Sequence, residues 1–183
     1  MLTTPARMTA DDVLRMPNPN DFRMELVRGE LLTMAPAGFD HGAKGGLLHG
    51  RLWSHVTLHR LGIVPTSDTG YILSRDPDTM RCPDTSFVSA ARIPKEPVMG
   101  FFPGSPDLVV EVLSPTDSLD EMQDKVADYL FAGTKLVWVV SPGRKSVTVY
   151  RPGQKPEWLG VGETLSGEDV VPGFSLPVAD IFA

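Results

Sequence analysis

A single cysteine, Cys82, stands in 183 residues, and one thiol can build neither an internal disulfide nor a cysteine-ligated zinc site. That scarcity suits a reducing compartment. Long apolar runs are also missing: nothing approaches the roughly eighteen residues that a membrane-spanning helix needs. The opening MLTTPARMTADD lacks the basic and apolar regions of a secretory signal. A cytoplasmic protein without a membrane partner is therefore expected. Positive charge is short too. The 17 Lys and Arg against 23 Asp and Glu leave a net −6, which excludes coating of nucleic acid by a broad basic surface. A protein whose local positive field comes from bound metal ions is still allowed. Repeats and low-complexity tracts are absent, and 42% hydrophobic residues suffice for one core, so a single domain over 1–183 is expected.

Periodicity gives the elements. Thr9 before Ala10-Asp11-Asp12 reads as a helix N-cap with acids in the first turn, and Pro17 stops that helix. FRMELVRGELLTM alternates on either side of Arg28-Gly29 and predicts a β-hairpin. From about His41 to Leu61 the pattern is helical, with Leu48, Leu52 and Val56 on one stripe and Gly62 as the stop. Gly45, Gly46 and Gly50 lower helix propensity there, which predicts close packing against a neighbouring element. Strands are expected at 69–74 and 84–89, then in PDLVVEVLSP and KLVWVVSP with a helix from Leu119 to Ala132 between them. That order predicts parallel central strands covered on both faces. SVTVYRPGQKPEWLGVGE closes with a second hairpin, turning at Pro152-Gly153.

One residue of PDLVVEVLSP does not fit a purely structural strand. Glu111 lies amid Leu108, Val109, Val110, Val112 and Leu113, and burying an unpaired carboxylate costs several kcal/mol or else raises its pKa. Either a structural ion pair or a functional site satisfies it. Asp84, opening the strand of RCPDTSFVS, is a second acid on a neighbouring strand. Read alone it is a turn residue, but with Glu111 it offers the two hard oxygen ligands that Mg²⁺ or Mn²⁺ requires. On the following helix Leu119, Met122, Val126, Tyr129 and Leu130 form the apolar stripe, and Lys125 lies at its edge, roughly 40° from Tyr129. Lys125 can therefore reach over the sheet toward the acids, or pair with Glu121 on the surface. His55 and His59, at i,i+4, have zinc spacing but no third ligand in view.

MELVRGEL, His41 ahead of the long helix, RCPDTSFV, PDLVVEVLSP, DKVADYLFAGTKLVWVVSP and VPGFSLPVADIF occur in that order between about residues 8 and 182. This set resembles the PD-(D/E)XK nuclease superfamily, and most closely its Uma-type restriction endonuclease family. The resemblance implies an α/β fold, a restriction-endonuclease-like mixed central β-sheet flanked by helices, with N-terminal and C-terminal β-hairpins. It also implies Asp84 and Glu111 as metal ligands. The superfamily's lysine normally stands two positions after the glutamate, where this chain has Leu113, and its counterpart here is Lys125 on the next helix. Glu25 matches an acidic position of the N-terminal hairpin, either as a further metal ligand or as an exposed strand carboxylate. His41 would be a general acid or orient a phosphate, or else only cap its helix. Asp107, on the face of Glu111 at the strand's entrance, is a supporting candidate. The implied activity is endonucleolytic hydrolysis of DNA phosphodiester bonds with Mg²⁺ or Mn²⁺, by a homodimer if duplexes are cut symmetrically. A DNA-binding module that no longer cuts, and a metal-dependent phosphodiesterase for small substrates, are the alternatives.

Overall fold

The computed structural model describes residues 7–18, 22–115 and 117–183. The chain begins with α1 (Ala10–Arg15), where Thr9 and Asp12 form a reciprocal capping box. A hairpin of β1 (Arg23–Val27) and β2 (Glu30–Met34) follows, then α2 (Phe39–His59). Next are β3 (Gly62–Ile63), β4 (Tyr71–Ser74), β5 (Thr79–Arg81) and β6 (Thr85–Ser89). A short β7 (Phe102–Pro103) precedes β8 (Leu108–Val112), α3 (Leu119–Phe131) and β9 (Leu136–Ser141). The chain ends with β10 (Ser146–Tyr150), β11 (Glu157–Gly160), β12 (Thr164–Ser166), β13 (Ser175–Pro177) and α4 (Val178–Ile181).

These strands form two principal sheets where the sequence predicts one. The first has the order β2-β1-β5-β4-β7, the second β11-β10-β9-β8-β6-β3, and β12 with β13 makes a small ribbon. The N-terminal hairpin gains its own sheet because β5, a three-residue strand absent from the sequence reading, pairs with both β1 and β4. As expected, β8 and β9 are central and parallel, with Val110 beside Trp138 and Glu111 beside Val139.

Alternation along β8 and β9 sorts their side chains between two cores. Leu108, Val110, Val112, Leu136, Trp138 and Val140 pack against Leu48, Leu52 and Val56 of α2, with Phe174, Leu176 and Ile181 closing the same layer. Val109, Val137 and Val139 face Met122, Val126 and Tyr129 of α3. Leu119 is a correction to the predicted stripe: it is 59% exposed, because it lies in the first turn beyond the edge of the sheet. α3 is capped by Ser118 and Glu121 and is followed by Gly133 at φ +101°, a left-handed conformation that glycine adopts without strain. Among the described residues no helix is long and apolar enough to cross a membrane.

The glycines of α2 are a second correction. A Cβ built on Gly42, Gly45, Gly46 or Gly50 meets no heavy atom of the described residues within 4 Å, so side-chain crowding does not call for glycine there, although the Gly45 carbonyl does accept the Thr85 hydroxyl at 3.4 Å. Helical glycine is less stable than alanine by roughly 0.5–1 kcal/mol. Gly50→Ala should therefore stabilise the protein by about that amount, read as a higher denaturant midpoint with an unchanged slope. Ser118→Ala should do the reverse by about 1 kcal/mol, through loss of the α3 cap.

Candidate functional site

The two sheets meet where the chain leaves β5 and enters β6, across Arg81-Cys82-Pro83-Asp84. β6 and β8 are antiparallel with Thr85 opposite Val110, so continuing the register by one residue sets Asp84 opposite Glu111. A hydrogen bond fixes this arrangement: the Val112 N–H donates to Asp84 Oδ2 at 2.8 Å. From the first sheet, β1 projects Arg23 and Glu25 from one face, two residues apart. Glu25 accepts the Cys82 N–H at 3.0 Å and Arg81 Nη1 at 2.9 Å, which ties β1 to the crossing segment. Glu25, Glu111 and Asp84 are 1%, 2% and 7% exposed.

Buried carboxylates need cations, and each has one. Lys125 Nζ lies 3.2 Å from Glu25 Oε1 and 3.4 Å from Glu111 Oε2, so it bridges the two sheets. One turn further along α3 the Tyr129 hydroxyl donates to Glu111 Oε1 at 2.8 Å. Arg23 Nη1 donates to Asp84 Oδ1 at 2.8 Å, and His41 Nε2 is 3.1 Å from Asp84 Oδ2. Arg81 joins Glu25 to Asp128, at 2.6 Å from Asp128 Oδ2. Around this cluster opens a cleft of about 820 Å³ whose walls include Arg23, Glu25, His41, Asp84, Glu111 and Lys125.

The titration behaviour follows from these contacts. Burial pushes Glu111 up to about 7; Asp84 and Glu25 add to the rise, and Lys125 opposes it. Burial also acts on Asp84, but hydrogen bonds from His41 and Arg23 outweigh it and hold the carboxyl well below its ordinary range. Glu25 is lowered in the same sense, its burial overcome by Lys125 and Arg81. Lys125 is raised despite burial because Glu111 and Glu25 favour its charged form. His41 is raised chiefly by its bond to Asp84. Burial and the neighbouring Glu111 keep Tyr129 neutral.

The structure thus brings together five of the residues that the sequence singles out: Asp84, Glu111, Lys125, Glu25 and His41. Asp107 is not among them. It lies at the far end of β8, where its carboxylate accepts the Ser89 N–H at 2.9 Å and pairs with Lys135 at 3.0 Å and Arg92 at 3.3 Å. Alternation gives a residue's face but not its distance along the strand. His55 and His59 stack on one another, and each bonds a backbone carbonyl, at Pro172 and His55. Cys82 is buried, and burial pushes its thiol up to about 12, so it is inert as a nucleophile. Three participants escape the sequence reading: Arg23, Arg81 and Tyr129. Arg23 stands two residues before Glu25 and Tyr129 four after Lys125, so strand and helix periodicity already imply shared faces. Arg81 carries no such signal.

Among the described residues no three His, Cys, Asp or Glu side chains converge as a closed metal cage. Mg²⁺ does not need one, since it is commonly held by one or two carboxylates together with water and substrate phosphate. Acceptor capacity fits that open arrangement. Among the described residues Glu111 receives one donor on each oxygen, and Asp84 Oδ1 receives only Arg23, so both retain lone pairs. Glu25 has less to offer, being engaged by Arg81, Lys125 and the Cys82 N–H.

The geometry can be set beside known proteins. A crystal structure of a "putative nuclease belonging to DUF820" from Anabaena variabilis ATCC 29413 superposes with a TM-score of 0.84, covering 96% of this chain and 97% of that one. The two are 23% identical, so the likeness shows the fold alone, a mixed α/β architecture. No curated protein matches the sequence. The sequence profile of the Uma2 family, described as "Putative restriction endonuclease", matches residues 10–179. Spanning nearly the whole chain, that match means that the protein belongs to the Uma2 restriction-endonuclease family.

Proposed function

We propose that this protein is a divalent-metal-dependent endonuclease that hydrolyses DNA phosphodiester bonds. The observation that carries the reading is the pairing of Asp84 opposite Glu111 with the ammonium of Lys125 reaching across to them, at the floor of an open cleft. Asp84 and Glu111 would hold a Mg²⁺ or Mn²⁺ ion, which when bound supplies Lewis acidity to the attacking water and to the phosphate. Lys125 acts as a fixed positive charge and not as a base, because its neighbouring carboxylates favour the ammonium form. It is placed to offset charge developing on the phosphoryl oxygens. Glu25 orients Lys125, and Arg81 holds Glu25 in turn. On the other side of Asp84, Arg23 and His41 fix the carboxylate and add positive charge where a phosphate would approach. Symmetric cutting of a duplex calls for two copies, so the proposed working form is a homodimer.

One observation favours a binding module that has lost cutting: Lys125 is already paired with two carboxylates, and Leu113 stands where the superfamily has its lysine. Incubation of the protein with plasmid, single-stranded DNA, RNA and bis(p-nitrophenyl) phosphate, each with Mg²⁺, Mn²⁺ or EDTA, separates the readings. The nuclease reading expects metal-dependent cleavage of DNA. It also expects Asp84→Ala and Lys125→Ala each to lower the rate by about 10²-fold or more. Cleavage that survives either substitution at the wild-type rate removes it.

Metal affinity should depend on pH. Glu111 is protonated below its pKa of about 7 and must lose that proton to bind an ion. Mg²⁺ affinity measured by calorimetry should therefore fall about tenfold for each pH unit below 7 and level off above it. Tyr129→Phe removes a hydrogen bond that favours the ionised Glu111. Since such a bond contributes about 1.5 kcal/mol and one pH unit is 1.36 kcal/mol, the midpoint should rise by about one pH unit.

A further inference from the structure

Past Asp84 the cleft continues into a second cavity of about 280 Å³ beside the N-terminal half of α2. The two spaces differ in charge. The main cleft carries Asp117, Glu121, Asp124 and Asp128 in addition to the central acids, an environment that repels a polyanion until cations bind. In the smaller cavity Asp84 is the only acid among the lining residues, against Arg23, His41 and His49 and the hydroxyls of Thr66 and Ser67. Arg23 Nε and Nη2 and His41 Nδ1, on two of the lining residues, are buried without a hydrogen-bond partner among the described residues. The N-cap of α2, Gly38, offers no side chain to the free N–H groups of the first turn, which also carries Asp40, paired with Lys44.

The glycines sharpen this. Gly42, Gly45 and Gly46 line the cavity, and a Cβ on any of them would meet only open space. Among the described residues neither a positive φ nor crowding at the Cβ position requires glycine here. Larger side chains at the lining positions would favour the helix but would take up space in the cavity, so the helix forgoes stability along the wall of a pocket that holds Arg23 and His41. A ligand that fills the space accounts for both facts.

We infer that this cavity binds a backbone phosphate next to the one that is cut, so that a nucleic acid strand runs from the N-terminus of α2 past Asp84 into the main cleft. At about 280 Å³ it has room for a unit of nucleotide scale. The inference rests on the nuclease reading for its occupant, but it is tested by binding without turnover.

The probe is the 5′-phosphorylated thymidine dinucleotide pTpT, titrated in EDTA into the full chain while the imidazole resonances of His41 and His49 are followed by NMR. Both resonances should move along one saturable isotherm. Gly46→Leu, which fills the cavity, should weaken pTpT by about tenfold or more, the scale of one lost charge-assisted contact. Gly50→Ala, on the same helix but outside the cavity wall, should bind as wild type. Thermal melts accompany each variant, and Gly46→Ala, with a smaller side chain, should give an intermediate affinity with a raised melting temperature. A His49 resonance unmoved at saturating pTpT, or a folded Gly46→Leu chain with wild-type affinity, overturns the subsite. Binding through His49 in a protein that cleaves nothing with any metal would remove the nuclease reading and leave the subsite standing. Cleavage by Gly46→Leu at the wild-type KM would do the opposite.

Discussion

Carboxylates buried in one seam repel each other, and the two sheets can close over Glu25 and Glu111 only because the Lys125 ammonium stands between them. Much else follows from that constraint. α3 must lie across the second sheet at an angle that delivers its middle residue, Lys125, to the seam, and the apolar stripe of Met122, Val126 and Tyr129 sets that placement. Arg81 and Arg23 complete the neutralisation from the other side. A buried ion network of this kind is weak as a source of stability, because the desolvation penalty offsets the Coulombic attraction. Its persistence at the floor of a cleft is better explained by chemistry than by folding.

Local signals were legible in the sequence and distant ones were not. The caps at Thr9 and Ser118, the alternation of β1 and β2, and the continuous apolar strands β8 and β9 all depend on neighbours within a few residues, and each stands where the pattern predicts. The odd carboxylate in PDLVVEVLSP was legible as an anomaly because burial of Glu111 demands a partner, and the helical angle of Lys125 pointed at that partner. Division into two sheets was not legible, since it turns on β5, three residues whose pairing with β1 depends on a separation of more than fifty positions. Arg81 was hidden for the same reason. Asp107 shows the limit of alternation, and the α2 glycines show that low helix propensity marks open space as readily as close packing.

The charge arrangement reconciles an acidic protein with a polyanionic substrate. The acids are unevenly placed around the site, since Glu121, Asp124 and Asp128 of α3 line the main cleft while the cavity beside α2 has Asp84 alone among its described lining residues. Overall charge therefore says little about where a phosphate could approach.

Lys125 and Glu25 are separated by roughly a hundred residues, and Asp84 lies between them in sequence. Contacts of such separation form late, after loop-closure entropy has been overcome by both sheets. A nascent chain that has exposed β1 to β8 but not α3 holds its acids with no ammonium between them. The cluster of Glu25, Glu111 and Lys125 is thus complete only when α3 is in place.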